Sequence, residues 1–446
     1  MVDQQQSSSN IIKVVAASMA GTTVEWYDFF LYGVAAAVVF PAVFFPSSDP
    51  AAGTLLALGT FAIGFIARPV GGLVFGHFGD KIGRKTLLVV SLVLMGIATF
   101  AIGLLPGYAT IGVAAPLLLV ILRLVQGFAL GGEWGGAVLI VSEHGDPARR
   151  GYWASWPQAG VPFGQLLANG LLFLLSALQP NDDFLAWGWR IPFLLSAVLV
   201  LIGLYVRLSV EESPVFKDAQ ARAAAAAAAG EKETMPIVEV FRRYPREVFT
   251  AMGARFAENV SYYIFTIVIT TYVTQRLGLS SSFVLGAVLI GAAVHLVTIP
   301  LWGALSDRIG RKPVYLIGAA GVGVWAFAFI ALIDTENFWL TTLAVVGGLV
   351  FHGAMYGPQA AFLSELFGTK VRYSGVSIGY QLASVVAGGL APVIAVALYT
   401  EFDSGYAVAV YVALSALVTI LAVATYGETR TRDLAADPAL SRSAAR

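Results

Sequence analysis

Several charged side chains sit where a long apolar sequence leaves no obvious room for them. Glu25, Asp28, Arg68, Arg123, Glu133, Arg255 and Glu258 each interrupt an apolar run, and His295 and His352 lie inside two more. An ionised group at the centre of a spanning helix costs at least about 2.5–3.5 kcal/mol, so these residues need partners, water or a ligand. Two chemistries suit them. A buried carboxyl or imidazole can take up and release a proton, and a guanidinium can grip a carboxylate through a bidentate fork. The alternative is that they pair with one another as contacts between helices. Glu25, Asp28 and Tyr32 follow an i, i+3, i+7 spacing, and Arg255, Glu258 and Tyr262 repeat it, so each trio shares one helical face. Gln158, Gln165, Asn169, Tyr380 and Gln381 could orient a polar ligand or be satisfied between helices. His295 and His352 leave open proton transfer or a hydrogen-bonded core.

The elements that must position these groups are legible in composition. Hydrophobic residues are 58% of the chain and charged residues 12%, with a mean hydropathy of +0.77, against about 25% charged in soluble proteins. Apolar runs occupy 12–40, 54–76, 87–105, 113–141, 152–177, 188–206, 248–275, 283–305, 314–333, 338–363, 374–399 and 405–426. Each approaches or exceeds the ~20 residues that cross ~30 Å of hydrocarbon, and none alternates as barrel strands do. The expected fold is an all-α membrane protein of twelve transmembrane helices. Gly76-His-Phe-Gly-Asp80-Lys-Ile-Gly-Arg84-Lys85 recurs as Gly303-Ala-Leu-Ser-Asp307-Arg-Ile-Gly-Arg311-Lys312, half a chain later. The duplication implies two pseudo-symmetric six-helix bundles, 1–208 and 248–426. A polar linker at 209–247, with an alanine run at 223–229, joins them, and the tail at 427–446 is expected to be disordered.

Most of the 27 Lys and Arg flank the runs on the side of both termini, which places both ends in the cytoplasm. The absence of cysteine excludes disulfides, thiolate metal sites and cysteine nucleophiles. A nucleotide-driven pump needs a phosphate-cradling loop, and Gly83-Arg84-Lys85-Thr86 copies only its end. An enzyme needs a nucleophile with a base or a metal cluster, and neither constellation is visible. The expectation is therefore no enzyme, cofactor, metal or nucleic acid, and a monomer in the bilayer.

The repeated Gly-x-x-x-Asp-x-x-Gly-Arg-Lys loop, the duplicated halves and Arg123-Leu-Val-Gln126-Gly127 resemble the major facilitator superfamily over essentially the whole chain. Glu25-Trp-Tyr-Asp28, Ala67-Arg68-Pro69, Gly131-Gly132-Glu133-Trp134 and Glu212-Ser213-Pro214 are similar to its metabolite:proton symporter branch, which carries organic acids and zwitterions. The resemblance implies alternating access, a site near the midplane, and protons and a small molecule as ligands. It implies that Asp28 takes the proton beside Arg123, with Glu25 and Glu133 in the proton-coupling set. Arg68, Arg255, Glu258, Tyr32, Tyr262, Gln158, Tyr380 and Gln381 form the expected substrate-facing set. Asp80, Arg84, Asp307 and Arg311, with Glu143 and Glu365 as acidic partners, match a conformational latch. The antiporter-associated Gly-Pro dipeptide is missing from helix five, where Gly160-Val-Pro162-Phe-Gly164 stands instead, which favours symport. A small organic acid is the expected cargo, with a zwitterion such as proline or a betaine, or a non-transporting sensor on the same fold, as alternatives.

Overall fold

The computed structural model describes residues 2–46, 50–82, 84–131, 138–139, 141–142, 146–209, 236–368, 371–432 and 434, without the side chains of 2–10, 50–51, 76–88, 206–207, 209, 236–239 and 373. Asp80, Arg84, Glu133, Glu143 and linker positions 210–235 thus lie outside the described side chains. The described residues are nearly all helical, with no strand among them. The principal helices are α1 (Val2–Val38), α2 (Pro50–Ile82), α3 (Arg84–Leu104), α4 (Ala114–Leu130), α5 (Arg150–Leu178), α6 (Arg190–Ser209), α7 (Pro245–Tyr263), α8 (Ser281–Ile309), α9 (Arg311–Ile333), α10 (Phe338–Leu366), α11 (Arg372–Ala383) and α12 (Tyr406–Ala424).

Among the described residues, seven helices are each long and apolar enough to cross a membrane, and α6 with the short helix before it makes a bent eighth. α1, with Glu25 and Asp28, and α7, with Arg246, Glu247, Arg255 and Glu258, are not among them, and the apolar stretches of α3 and α4 are shorter, at Val89–Leu104 and Ala114–Leu130. α7 and α11 also change winding at mid-depth. π-helical turns follow α7 at Ile264–Val268 and α11 at Ser384–Gly389, the latter leading into Ala391–Glu401. Such turns cluster at functional sites because they re-aim side chains.

The charged decapeptides are helix ends more than loops. α8 runs on to Ile309, so Asp307 is in its last turn, and only Gly310 leaves the helix. Its φ of +108° is a conformation that side-chain-bearing residues avoid.

Glycine seams set the helix spacing. On α2 and α4, a Cβ at Gly127 would run into the Gly64 carbonyl and one at Gly71 into the Phe128 backbone. This backbone contact brings Arg68 and Arg123 to one place, and a Cβ at Gly64 would meet the Arg123 side chain itself. A second seam joins the two halves: a Cβ at Gly151 on α5 would lie 2.6 Å from the Gly303 carbonyl on α8, and the reverse substitution is equally blocked. Gly127→Val is expected to destabilise the protein by about 1–3 kcal/mol, the usual cost of overpacking. Thermal unfolding in detergent should show it; an unchanged midpoint would mean that α2 and α4 can separate freely.

Candidate functional site

Two arginines of the first half lie buried with no acid paired to them among the described residues. Arg68 is 4% and Arg123 1% exposed. Neither has an ion-pair partner within reach among the described residues. Aromatic rings take the place of carboxylates. The Arg68 guanidinium lies 4.2 Å from the Phe65 ring centre and 4.7 Å from that of Phe29. Arg123 lies 4.2 Å from the Tyr32 ring, 5.0 Å from Phe61 and 5.1 Å from Phe29. A desolvated cation–π contact offsets roughly 2 kcal/mol but leaves the charge in place. Arg68 Nη2 and Arg123 Nε make no hydrogen bond. Arg123 and Arg68 are electrostatic neighbours, and Arg68 is in turn a neighbour of Arg255, so the three guanidinium groups form a mutually repelling row across the molecule.

Asp28 is 1% exposed, and its Oδ1 has no hydrogen-bond partner. It does not meet Arg123, although the resemblance led us to expect that pair. Arg123 Nη1 instead donates to Gln126 Oε1 at 3.1 Å, and Gln126 Nε2 donates to Thr99 Oγ1 at 2.8 Å. Thr99 lies against Asp28. Thr99 Oγ1 gives its own hydrogen to the Met95 carbonyl at 3.0 Å, so the run from Arg123 through Gln126 ends beside Asp28. Glu25 is buried one helical turn away.

In the second half the charges are paired. Arg255 Nη1 lies 2.9 Å from Glu258 Oε2 and donates to Gln359 Oε1 at 2.8 Å; Nη2 reaches Asn259 and Ser384 at 3.0 and 3.2 Å. The guanidinium sits 3.4 Å from the Tyr380 ring centre. Glu258 Oε1 faces His352 Nε2 at 3.4 Å, and His352 Nδ1 faces His295 Nε2 at 3.0 Å. Tyr262 covers His352 at 4.7 Å between ring centres and donates to Gln165 Oε1 across the halves. Gln158 bonds the Tyr356 carbonyl and Gln381 the Gly131 carbonyl, two more links between halves, while Tyr32 donates to Thr60. On the side away from the termini, Gln275 donates to Thr54 at 2.6 Å. The halves therefore touch on both sides of the buried charges.

On the terminal side Asp307 accepts from the backbone N–H groups of Gly151 and Tyr152, both at 2.8 Å, and Arg311 Nη1 lies 2.6 Å from the same carboxylate. Glu365 is shared by Arg150 at 3.0 Å and Arg311 at 3.2 Å. Asp307, Arg311 and Glu365 therefore converge as expected. Arg150, which carried no role in the sequence reading, crosses from the first half to join them. Residues 427–432, a described stretch of the C-terminal tail, also differ from the expected disorder. Thr429 donates to Glu365 at 2.6 Å, Arg432 to the Glu365 carbonyl, and Glu428 accepts the N–H groups of Arg311 and Lys312 at the start of α9.

Burial alone would raise the Glu428 pKa, but N–H groups of Arg430, Arg311, Lys312 and Thr429 outweigh it and hold the carboxyl below its ordinary 4.5. A depressed folded-state value means this contact stabilises fully above 4.5 and weakens as pH falls below it. Hydrogen exchange at residues 428–432 should be steady at neutral pH and rise only in that acidic range; a rise already near neutrality would contradict the contact.

Thr99, Gln126, Gln359, Asn259 and Ser384 complete these clusters. Only Gln126 was visible beforehand, through its place in the helix-four motif. The rest are ordinary helical residues whose roles arise from packing.

Comparison with known proteins follows from this geometry. Residues 13–438 match the family model described as Sugar (and other) transporter. The chain is 44% identical over 427 residues to the inner membrane metabolite transport protein YhjE of Escherichia coli K12, covering 95% of each. It is 42% identical to the shikimate transporter of that strain, over 93% of this chain and 94% of the other. It is 35% identical to the strain's proline/betaine transporter, over 96% and 86%. The major facilitator proton:xylose symporter XylE bound to 6-bromo-6-deoxy-D-glucose superposes with a TM-score of 0.73 at 20% identity, covering 96% of this chain and 98% of that one. A partially occluded inward-open XylE gives 0.72 at 19% identity, covering 96% and 100%.

Proposed function

The chain belongs to the sugar (and other) transporter family, a multi-pass membrane transporter with the major facilitator fold and not an enzyme; from that premise we propose that it imports a small organic anion together with protons. The observation that carries the reading is the row of guanidinium groups in which Arg68 and Arg123 have no acid partner among the described residues. Leaving buried cations unpaired is costly, and a carboxylate seated among them removes that cost. The rings around them exclude water and so strengthen the attraction.

In this reading Asp28 carries the proton. A buried carboxyl with an unpartnered oxygen, and no cation paired to it among the described residues, is accommodated when it is neutral. Gln126 and Thr99 lie between the two residues, so a change of charge at Asp28 acts on Arg123 through space, without direct contact. The halves, taken as 1–208 and 248–426, rock about the buried site, and the terminal face is cytoplasmic. The acid-paired Arg255 and Glu258 lend some weight to a zwitterionic cargo, and one relative is a proline/betaine transporter.

Binding by the purified protein to a panel of carboxylates, their amide or alcohol analogues, amino acids and betaines tests the proposal, with counterflow in proteoliposomes as the transport readout. Carboxylates should bind and exchange, and their neutral analogues should not. Equal affinity for the neutral analogues would overturn the anion reading, and the absence of counterflow with any ligand that binds would overturn transport. Arg68→Lys keeps the charge but loses the fork, and about 1.5–3 kcal/mol for a charge-assisted hydrogen bond corresponds to roughly 10- to 100-fold weaker binding. Unchanged affinity would assign Arg68 a structural role.

A further inference from the structure

We propose that His295 and His352 form a second proton-binding site, separate from Asp28, in which the two imidazoles share a single proton. Both rings are buried, at 0% and 1% exposure, on different helices, α8 and α10. They are joined Nδ1 to Nε2 at 3.0 Å, and the pair ends on Glu258 at one side. At the other end His295 Nδ1 is buried and has no hydrogen-bond partner. The other three ring nitrogens of the pair are all engaged, so this open nitrogen is the point at which the pair can take up a proton.

Hydrogen-bond logic sets the tautomers. His352 Nε2 faces a carboxylate, so it carries the hydrogen. In the neutral ring Nδ1 then accepts, and His295 Nε2 must donate to it. This leaves His295 Nδ1 as a bare acceptor, the open end of the chain. A proton arriving there lets the Nε2 hydrogen of His295 pass to His352 Nδ1. The positive charge then rests on His352 beside Glu258, and His295 is again neutral, now protonated at Nδ1. A second proton is excluded because two cations at this separation repel strongly in a buried site.

The surroundings give the proton a consequence. Among the described residues, the charged and titratable groups facing the pair are Glu258, Arg255 and Tyr262 from α7, Tyr356 from α10 and, through Gln359, Tyr315 from α9. α5 contributes only the neutral Gln158 and Gln165. Glu258 is the single acid of this group and is held by Arg255. When His352 becomes cationic, Glu258 acquires a second positive partner, and Arg255 is free to turn its charge toward an incoming anion. Proton arrival in the second half thereby prepares the guanidinium row for cargo.

The test uses protons alone and so stands apart from the identity of the cargo. The chain has 4 histidines, few enough for 15N-histidine NMR of the full-length protein in nanodiscs, assigned with His295→Gln, His352→Gln and the two remaining single variants. At high pH both buried rings should be Nε2–H tautomers; an Nδ1–H tautomer in either would overturn the proposal. On acidification the two signals should move together in one transition, with a total uptake of one proton. Two independent one-proton transitions, or no change before the protein unfolds, would also overturn it. In His352→Gln the His295 signal should lose its shared transition, and Glu258→Gln should displace the midpoint in an otherwise folded pair. If neither variant folds, the wild-type tautomers and proton count decide alone.

Discussion

Glu365→Gln is expected to open the terminal side of the transporter. The Glu365 carboxylate is fully buried and holds Arg150 from one half and Arg311 from the other. In a state with the terminal side open, Arg150 returns to water and needs no partner. Closing that side in the variant would bury Arg150 with a neutral amide in front of it. Truncating one member of a buried charge pair costs about 2–5 kcal/mol, which is roughly a 30-fold to several-thousand-fold shift in the balance between the two states. The Asp307 contacts to Gly151 and Tyr152 remain, so the variant should still fold. Because the native sequence has no cysteine, spin labels at Ala148→Cys and Ile309→Cys, both exposed beside the latch, report the separation cleanly. The variant should show a longer and broader distance distribution than the parent. An unchanged distribution would remove Glu365 from any conformational role.

Asp28→Asn should separate exchange from accumulation. The amide keeps the size of the side chain and resembles the neutral acid, so the loaded carrier can still turn. It cannot release a proton, so the gradient has nothing to act on. Uptake against a concentration gradient should fall to simple equilibration, while counterflow persists at a rate within a few-fold of the parent. A protonophore should bring the parent down to the level of the variant and leave the variant unaffected. Full gradient-driven accumulation by Asp28→Asn would transfer proton coupling elsewhere, with the buried histidine pair as the next place to look. Gln126→Leu, which leaves both charged residues intact, asks whether the side chains between them matter; coupling that survives it would make the Gln126–Thr99 contact incidental.

The sequence by itself determined the membrane-spanning helices, the duplication and the faces on which the charges lie. Hydrocarbon admits so few polar groups that each exception in an apolar run stands out, and the 3.6-residue period makes Glu25, Asp28 and Tyr32 neighbours on any helix. The family resemblance carried by the repeated loop implied in addition that Asp307, Arg311 and Glu365 belong to one cluster. Only the tertiary structure decided what those faces touch. Arg123 turned to Gln126 and left Asp28, His352 found His295 across 57 residues, and Arg150 and Thr429 joined a charge cluster whose acid, Glu365, belongs to α10. Periodicity restricts a side chain to an arc of helix surface, but a hydrogen bond needs two atoms within about 3 Å. That last specification depends on helix rotation and on how closely glycines let two backbones approach, as at Gly64 and Gly127, and both are settled only when all the helices pack together.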